Sequence, residues 1–144
     1  MATVNVYLTF EGNCEIAFEF YNAAFSGRFK DFTRFGEMPQ QEGMPPLSDE
    51  MKNRIMHVSL PVSAETSLMG SDTLPGMSPN VTVGNNFSIS LGVNSKDEAD
   101  QLCAALSAGG KITMPLEVTF WGAYFGMWTD KFGINWMVNY DLPS

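Results

Sequence analysis

His57 is the single histidine of the chain. It stands on the alternating stretch Arg54-Ile-Met-His-Val-Ser-Leu60, where it would share a strand face with Ile55 and Ser59. Imidazole titrates near neutrality, so a histidine here could hold a structural hydrogen bond, act as a general base or ligand contact, or donate to a metal. A metal site built on one histidine would need Asp or Glu residues to complete it. Asp72 follows Ser71 at the end of another strand, ahead of a Pro/Gly-rich connection. It can cap a turn there, or it can sit beside His57 and fix the imidazole tautomer for proton abstraction. His57 and Asp72 are the two residues weighed for acid–base work, and spacing alone assigns neither a catalytic role.

The second chemical signal is aromatic. Residues 119–139 hold all three tryptophans, a density that serves either a core or a concave small-molecule pocket. Asp130-Lys-Phe-Gly133 reads as a hairpin turn with glycine at a special backbone angle, and Trp128 and Trp136 flank it as a cross-strand pair. Trp121 and Phe125, on either side of Gly122, are the leading pocket aromatics. Glu37 and Met38 stand where a strand leaves for a long loop that could fold as a lid. Glu117 alternates into the strand ahead of the aromatic block. The expected pocket lining is Tyr7, Met38, His57, Trp121, Phe125 and Trp136.

The elements that must position these residues follow from periodicity. Residues 3–10 alternate as a strand. Asn13 is the expected N-cap of a helix whose inward face is Ile16, Ala17, Phe20, Tyr21 and Ala24, ending near Ser26-Gly27. A strand at about 28–36, a proline-rich loop over 37–52 and strands at 53–62 and 66–72 complete a first module. Residues 73–83 read as a linker. The order then repeats: a strand at 87–93, then a helix opened by the capping-box pattern Ser95-Lys-Asp-Glu98. That helix turns Ala99, Leu102, Cys103 and Leu106 inward and ends at Gly109-Gly110. Strands at 111–119, 122–129 and 134–140 follow. Both halves read strand, helix, three strands, with almost no identity between them. The predicted class is α+β: two βαβββ modules with strongly curved mixed sheets forming a cup, helices on the outside.

Composition narrows the partners. The formal charge is −8, from 16 acidic and 8 basic residues, and the few Lys and Arg are unclustered. Nucleic-acid binding is not expected. No apolar run approaches the ~20 residues that span a bilayer, and the N-terminal residues lack the pattern of a secretion signal. No membrane role is read, and cytoplasm is the expected location. Cys14 and Cys103 fall on predicted helices among apolar neighbours and read as buried thiols.

Tyr7-Leu-Thr-Phe-Glu-Gly-Asn-Cys-Glu-Ile-Ala-Phe-Glu-Phe-Tyr21 resembles the opening motif of the PhnB-like proteins. These are a branch of the glyoxalase/bleomycin-resistance/dioxygenase (vicinal oxygen chelate) superfamily. Phe35-Gly-Glu-Met-Pro39, Met56-His-Val-Ser-Leu60, Met69-Gly-Ser-Asp72 and Phe120-Trp-Gly through Trp136-Met-Val-Asn139 match in the same order, so the resemblance spans nearly the whole chain. It implies one glyoxalase-like domain over 1–144, with module one at 1–72, a linker at 73–83 and module two at 84–144. It also implies a homodimer and a small-molecule ligand. Enzymes of the superfamily usually hold a divalent metal through His and Glu on inward strands. The corresponding positions here fall at Val6, Ser88, Met137 and near Met69, and Val and Met are not donors for such an ion. The resemblance therefore implies a pocket without the usual metal, and no cofactor is expected. A lyase, isomerase or dioxygenase-like enzyme using His57 or a non-standard metal is the alternative.

Overall fold

The computed structural model describes residues 2–39, 43 and 45–144. The chain divides into two compact units at Thr82/Val83. Each carries one four-stranded mixed sheet with helix packed against it, as the βαβββ reading predicts.

In the first unit, β1 (Val6–Phe10) leads into α1 (Cys14–Phe25), followed by β2 (Asp31–Arg34), α2 (Asp49–Asn53), β3 (Ile55–Pro61) and β4 (Ser67–Asp72). The strands lie in the order β1-β4-β3-β2. β1 pairs parallel with β4, and the other pairs are antiparallel. Alternation sends Leu8, Phe10, Val58, Leu60 and Leu68 into the core with α1. Gly70 permits the close seat of that helix, because a Cβ there would lie 2.6 Å from a Phe18 ring carbon and 2.8 Å from the Leu8 carbonyl.

Three local expectations are corrected. The buried stripe of α1 is Cys14, Ala17, Phe18 and Tyr21, while Ile16 is 61% exposed. The stripe is rotated because Phe18 fills the space that Gly70 leaves. Asn13 is the N-cap residue as expected, its carbonyl accepting the Ala17 amide at 3.1 Å, but its side chain makes no cap. The carboxylate of Asp72 supplies it from β4, accepting from the Gly12 and Cys14 amides at 2.9 and 3.0 Å. Finally, the stretch 37–52 is not wholly loop: β2 runs into a 3-10 turn at Phe35–Glu37, and Ser48 caps α2 by accepting the Met51 amide at 3.2 Å. Residues 40–42 and 44 of that stretch, and with them the lid expectation, lie outside the described residues.

The second unit contains β5 (Ile89–Gly92), α3 (Lys96–Ser107), β6 (Lys111–Val118), β7 (Ala123–Thr129) and β8 (Asn135–Asp141). The order is β5-β8-β7-β6, with β5 parallel to β8. Ser95 caps α3 as its motif predicts, accepting the Glu98 amide at 3.1 Å, and Glu98 returns to the amide of Asn94. Ala99, Leu102, Cys103 and Leu106 are the buried face of α3. Trp128 and Trp136 are register partners, stacked at 6.4 Å with their planes 6° apart. β6 is an edge strand. It carries Pro115, which has no N–H to offer a further strand.

Candidate functional site

The face of the first sheet opposite α1 is built by alternation and register. Tyr7 stands opposite Met69, Met69 opposite Ser59, and Ser59 opposite Asp31. One pair further along β2, Thr33 stands opposite His57. A register shift between Thr33 and Arg34 breaks the strand's alternation, so Ile55 is fully buried while His57 stays partly open.

His57 Nδ1 lies 2.5 Å from Asp31 Oδ2, and Thr33 Oγ1 donates to Asp31 Oδ1 at 3.0 Å. The Tyr7 ring is tilted against the imidazole at 5.9 Å between centroids. The hydrogen bond from His57, then that from Thr33, holds the Asp31 carboxyl below the usual carboxylate range. A carboxylate on Nδ1 fixes the ring's orientation and leaves Nε2 as the nitrogen for a ligand or a proton. The arrangement can bind a polar group or exchange a proton with one.

Asp72 is therefore not the partner of His57. It is buried, with Oδ1 held by Gly12 and Cys14 and Oδ2 by the Ile55 amide at 2.9 Å. Its role is to clamp three backbone amides from two segments, the Gly12–Cys14 turn and the start of β3, onto the end of β4. A cleft of about 400 Å³ beside it is lined by Glu11, Glu15, Glu50 and Arg54 among others. Two of its charged groups are engaged in structure: Arg34 takes Glu15 in a two-pronged pair at 2.7 and 2.9 Å, and Arg54 Nη1 donates to the Thr73 carbonyl at 2.8 Å, while Arg54 Nε is buried without a partner among the described residues. The Arg34 bond holds Glu15 below the ordinary range.

Of the remaining expected pocket residues, Met38 belongs to the first unit and Trp121, Phe125 and Trp136 to the second. Met38 closes the 3-10 turn, its amide donating to the Phe35 carbonyl at 3.1 Å. Trp136 is fully buried and donates its indole N–H to Asp130 at 2.8 Å, which places it in the core of the second unit. Trp121 and Phe125 are in ring contact at 6.0 Å, and Trp121 is 56% exposed. Both cysteines are buried, and burial pushes their thiols up, away from nucleophilic reactivity.

Asp31 was not singled out by sequence. The usable signal was Asp31-Phe-Thr33, whose spacing puts two polar side chains on one strand face. What the spacing lacks is the register that brings that face to His57.

Three of the four positions that the resemblance implies for metal ligands carry hydrocarbon or thioether side chains, and the fourth is Ser88. Val6 alternates with Leu8 and Phe10, Met69 faces the open side between Tyr7 and Ser59, and Met137 lies between Ser90 and Met127. Thioethers and hydrocarbon do not suit a hard divalent ion. Among the described residues no three His, Cys, Asp or Glu side chains gather to hold a metal, and no helix is long and apolar enough to cross a membrane.

Comparison with known proteins agrees with this architecture. The chain is 32% identical to Protein YjdN of Escherichia coli (strain K12) over 138 residues, 92% of this chain and 91% of YjdN. The crystal structure of PA1353 from Pseudomonas aeruginosa superposes with a TM-score of 0.83 at 40% identity, covering 99% of this chain and 100% of that one. A PhnB protein from Bacillus cereus superposes at 0.73 with 23% identity, covering 96% and 99%, and shares the fold. The profile of the Glyoxalase/Bleomycin resistance protein/Dioxygenase superfamily matches residues 3–138. Two βαβββ units, a match over nearly the whole length and these relatives together make the chain a member of the glyoxalase/bleomycin resistance/dioxygenase superfamily.

Proposed function

We propose that the chain is a small-molecule binding protein of this superfamily, taking an aromatic or hydrophobic ligand with one polar group. In the first unit the ligand lies against the open sheet face, with Tyr7 as its apolar wall and the Asp31–His57 pair as its polar end. The observation that carries this reading is the pair itself: an imidazole oriented at Nδ1 by a carboxylate, beside an aromatic ring that is 49% exposed. A side-chain pair fixed on an uncovered sheet face is preorganised for recognition. On this reading binding needs no divalent metal, the whole chain acts as one domain, and the protein works in the cytoplasm as a homodimer. The hydrocarbon and thioether side chains of Val6, Met69 and Met137 support the first of these, the superfamily resemblance supports the single domain and the homodimer, and the cytoplasm is the location expected from composition.

The test is thermal stabilisation across a library of aromatic and hydrophobic metabolites, with and without EDTA, in wild type and His57→Ala. The expected result is a rise in Tm from at least one compound class that is indifferent to EDTA and smaller in the variant. No shift from any compound, or a shift abolished by EDTA and restored by a metal, overturns it.

The same pair favours a second reading, proton transfer by His57 next to an activated carbonyl or hydroxyl. Once a turnover assay exists, full activity in His57→Ala excludes that role.

A further inference from the structure

The β6–β7 hairpin of the second unit presents aromatic rings to solvent on a rigid turn. Thr119 and Ala123 lock it: the Thr119 amide donates to the Ala123 carbonyl at 2.7 Å, and the Ala123 amide to Thr119 Oγ1 at 3.2 Å. Gly122 completes it at a φ of +87°, a conformation that glycine adopts without strain. At the tip, Phe120 is 97% exposed and meets Trp121 edge to face at 5.0 Å. Trp121 in turn meets Phe125 at 6.0 Å. Three linked rings held out by a tight turn are unusual for a solvent surface.

The charge around them has one sign. Glu117 is the register partner of Phe125 and is exposed, with no hydrogen bond or ion pair among the described residues. Asn139 pairs with Phe125 from the other side and donates to Asp141 at 2.9 Å, adding a second carboxylate. The basic residue on this sheet face, Lys111, stands opposite Thr129, four residues along β7 from Phe125, or roughly 13 Å away. Aromatic faces attract cations through their quadrupole, more strongly as the site is desolvated. An unpaired carboxylate in register with such a ring adds the countercharge.

We propose that this face binds an organic cation of the quaternary ammonium type, with Phe120, Trp121 and Phe125 as its walls and Glu117 as its counter-ion. The proposal rests on the small-molecule reading above and names a ligand class for the second unit. The formal charge of −8 on the whole chain favours the approach of such a ligand.

The probes are choline and its neutral carbon isostere 3,3-dimethylbutan-1-ol, followed by tryptophan fluorescence and calorimetry on the full chain. Trp128 and Trp136 are buried and Trp121 is exposed, so a change in emission on binding reports Trp121. The expected result is that choline binds and the isostere binds at least tenfold more weakly. Glu117→Gln weakens choline about three- to tenfold, and Trp121→Leu, read by calorimetry, weakens it at least as much, both with wild-type Tm. Equal binding of the two probes sinks the cation and leaves the small-molecule reading standing. Binding of neither sinks the site alone if the metabolite library still stabilises the protein, and with no library hit both readings fall. Choline binding undiminished in both variants also overturns the proposal. So does a concentration-dependent dimer, lost in Trp121→Leu, that covers the rings.

Discussion

His57 and Asp31 are joined diagonally across the β2–β3 ladder: the residue directly opposite His57 is Thr33, and Asp31 faces Ser59. Thr33 closes the triangle by donating to the other oxygen of Asp31. The diagonal matters because it leaves His57 one fixed nitrogen, on a sheet face that α1 does not cover.

The pair sets a pH dependence whose sign can be worked out. Asp31 is depressed in the folded chain relative to the ordinary value of about 3.9 it would have unfolded. Its stabilising contribution is therefore present above about pH 4 and is lost as pH falls through the depressed folded value. An NMR titration of the Asp31 carboxyl should give a midpoint below the ordinary range in wild type and a higher one in His57→Ala. Identical midpoints would show that the imidazole does not hold the carboxylate.

Asp72→Ala should be among the most damaging single changes in the first unit. It strips partners from the amides of Gly12, Cys14 and Ile55, and each donor left unsatisfied costs about 1–3 kcal/mol. We expect a loss of at least about 3 kcal/mol in urea unfolding. Asp72→Asn should fall between that and wild type, since its amide keeps an acceptor but presents N–H groups where one carboxylate oxygen stood. A loss under 1 kcal/mol for the alanine variant would refute the clamp.

The three tryptophans should divide by position. Trp136→Ala removes the stacked partner of Trp128 and the N–H bound to Asp130, so a loss of about 3–5 kcal/mol is expected. Trp121→Ala, at an exposed turn, should stay within about 0.5 kcal/mol of wild type. Chemical denaturation of the two variants side by side checks this, and comparable losses would mean that Trp121 is covered in solution.

Ser26 ends α1 in the left-handed region, at φ +50°. An L-residue there carries a strain that glycine lacks. Ser26→Gly should raise stability by about 0.5–1 kcal/mol, read as a higher urea midpoint with unchanged slope.

Much of the fold was legible because its cues are local. Alternation marked every strand of the second unit to within two residues, the Ser95 cap opened α3 where its motif stands, and the Trp128–Trp136 pairing followed from the turn between them. Three of the misreadings share a cause: each depends on contacts distant in sequence. Ile16 was preferred to Phe18 because helical spacing alone does not reveal the gap at Gly70. Asn13 takes the N-cap position that local sequence predicts, but the side-chain acceptor comes from Asp72, 58 residues beyond Cys14. Asp72 was weighed as the partner of His57, and Asp31 overlooked, because register across β2 and β3 is set by a bulge that no spacing rule encodes.

The parallel ladders carry a consequence for synthesis on the ribosome. Among the described residues β1 pairs only with β4 and β5 only with β8, so the first strand made in each unit is stitched in by the last. A nascent chain emerging from the exit tunnel can form α1 early, but β1 has no neighbour until Leu68 to Asp72 have followed it out. Each sheet is therefore complete only once its last strand has been made, and until then its first strand has no ladder to join.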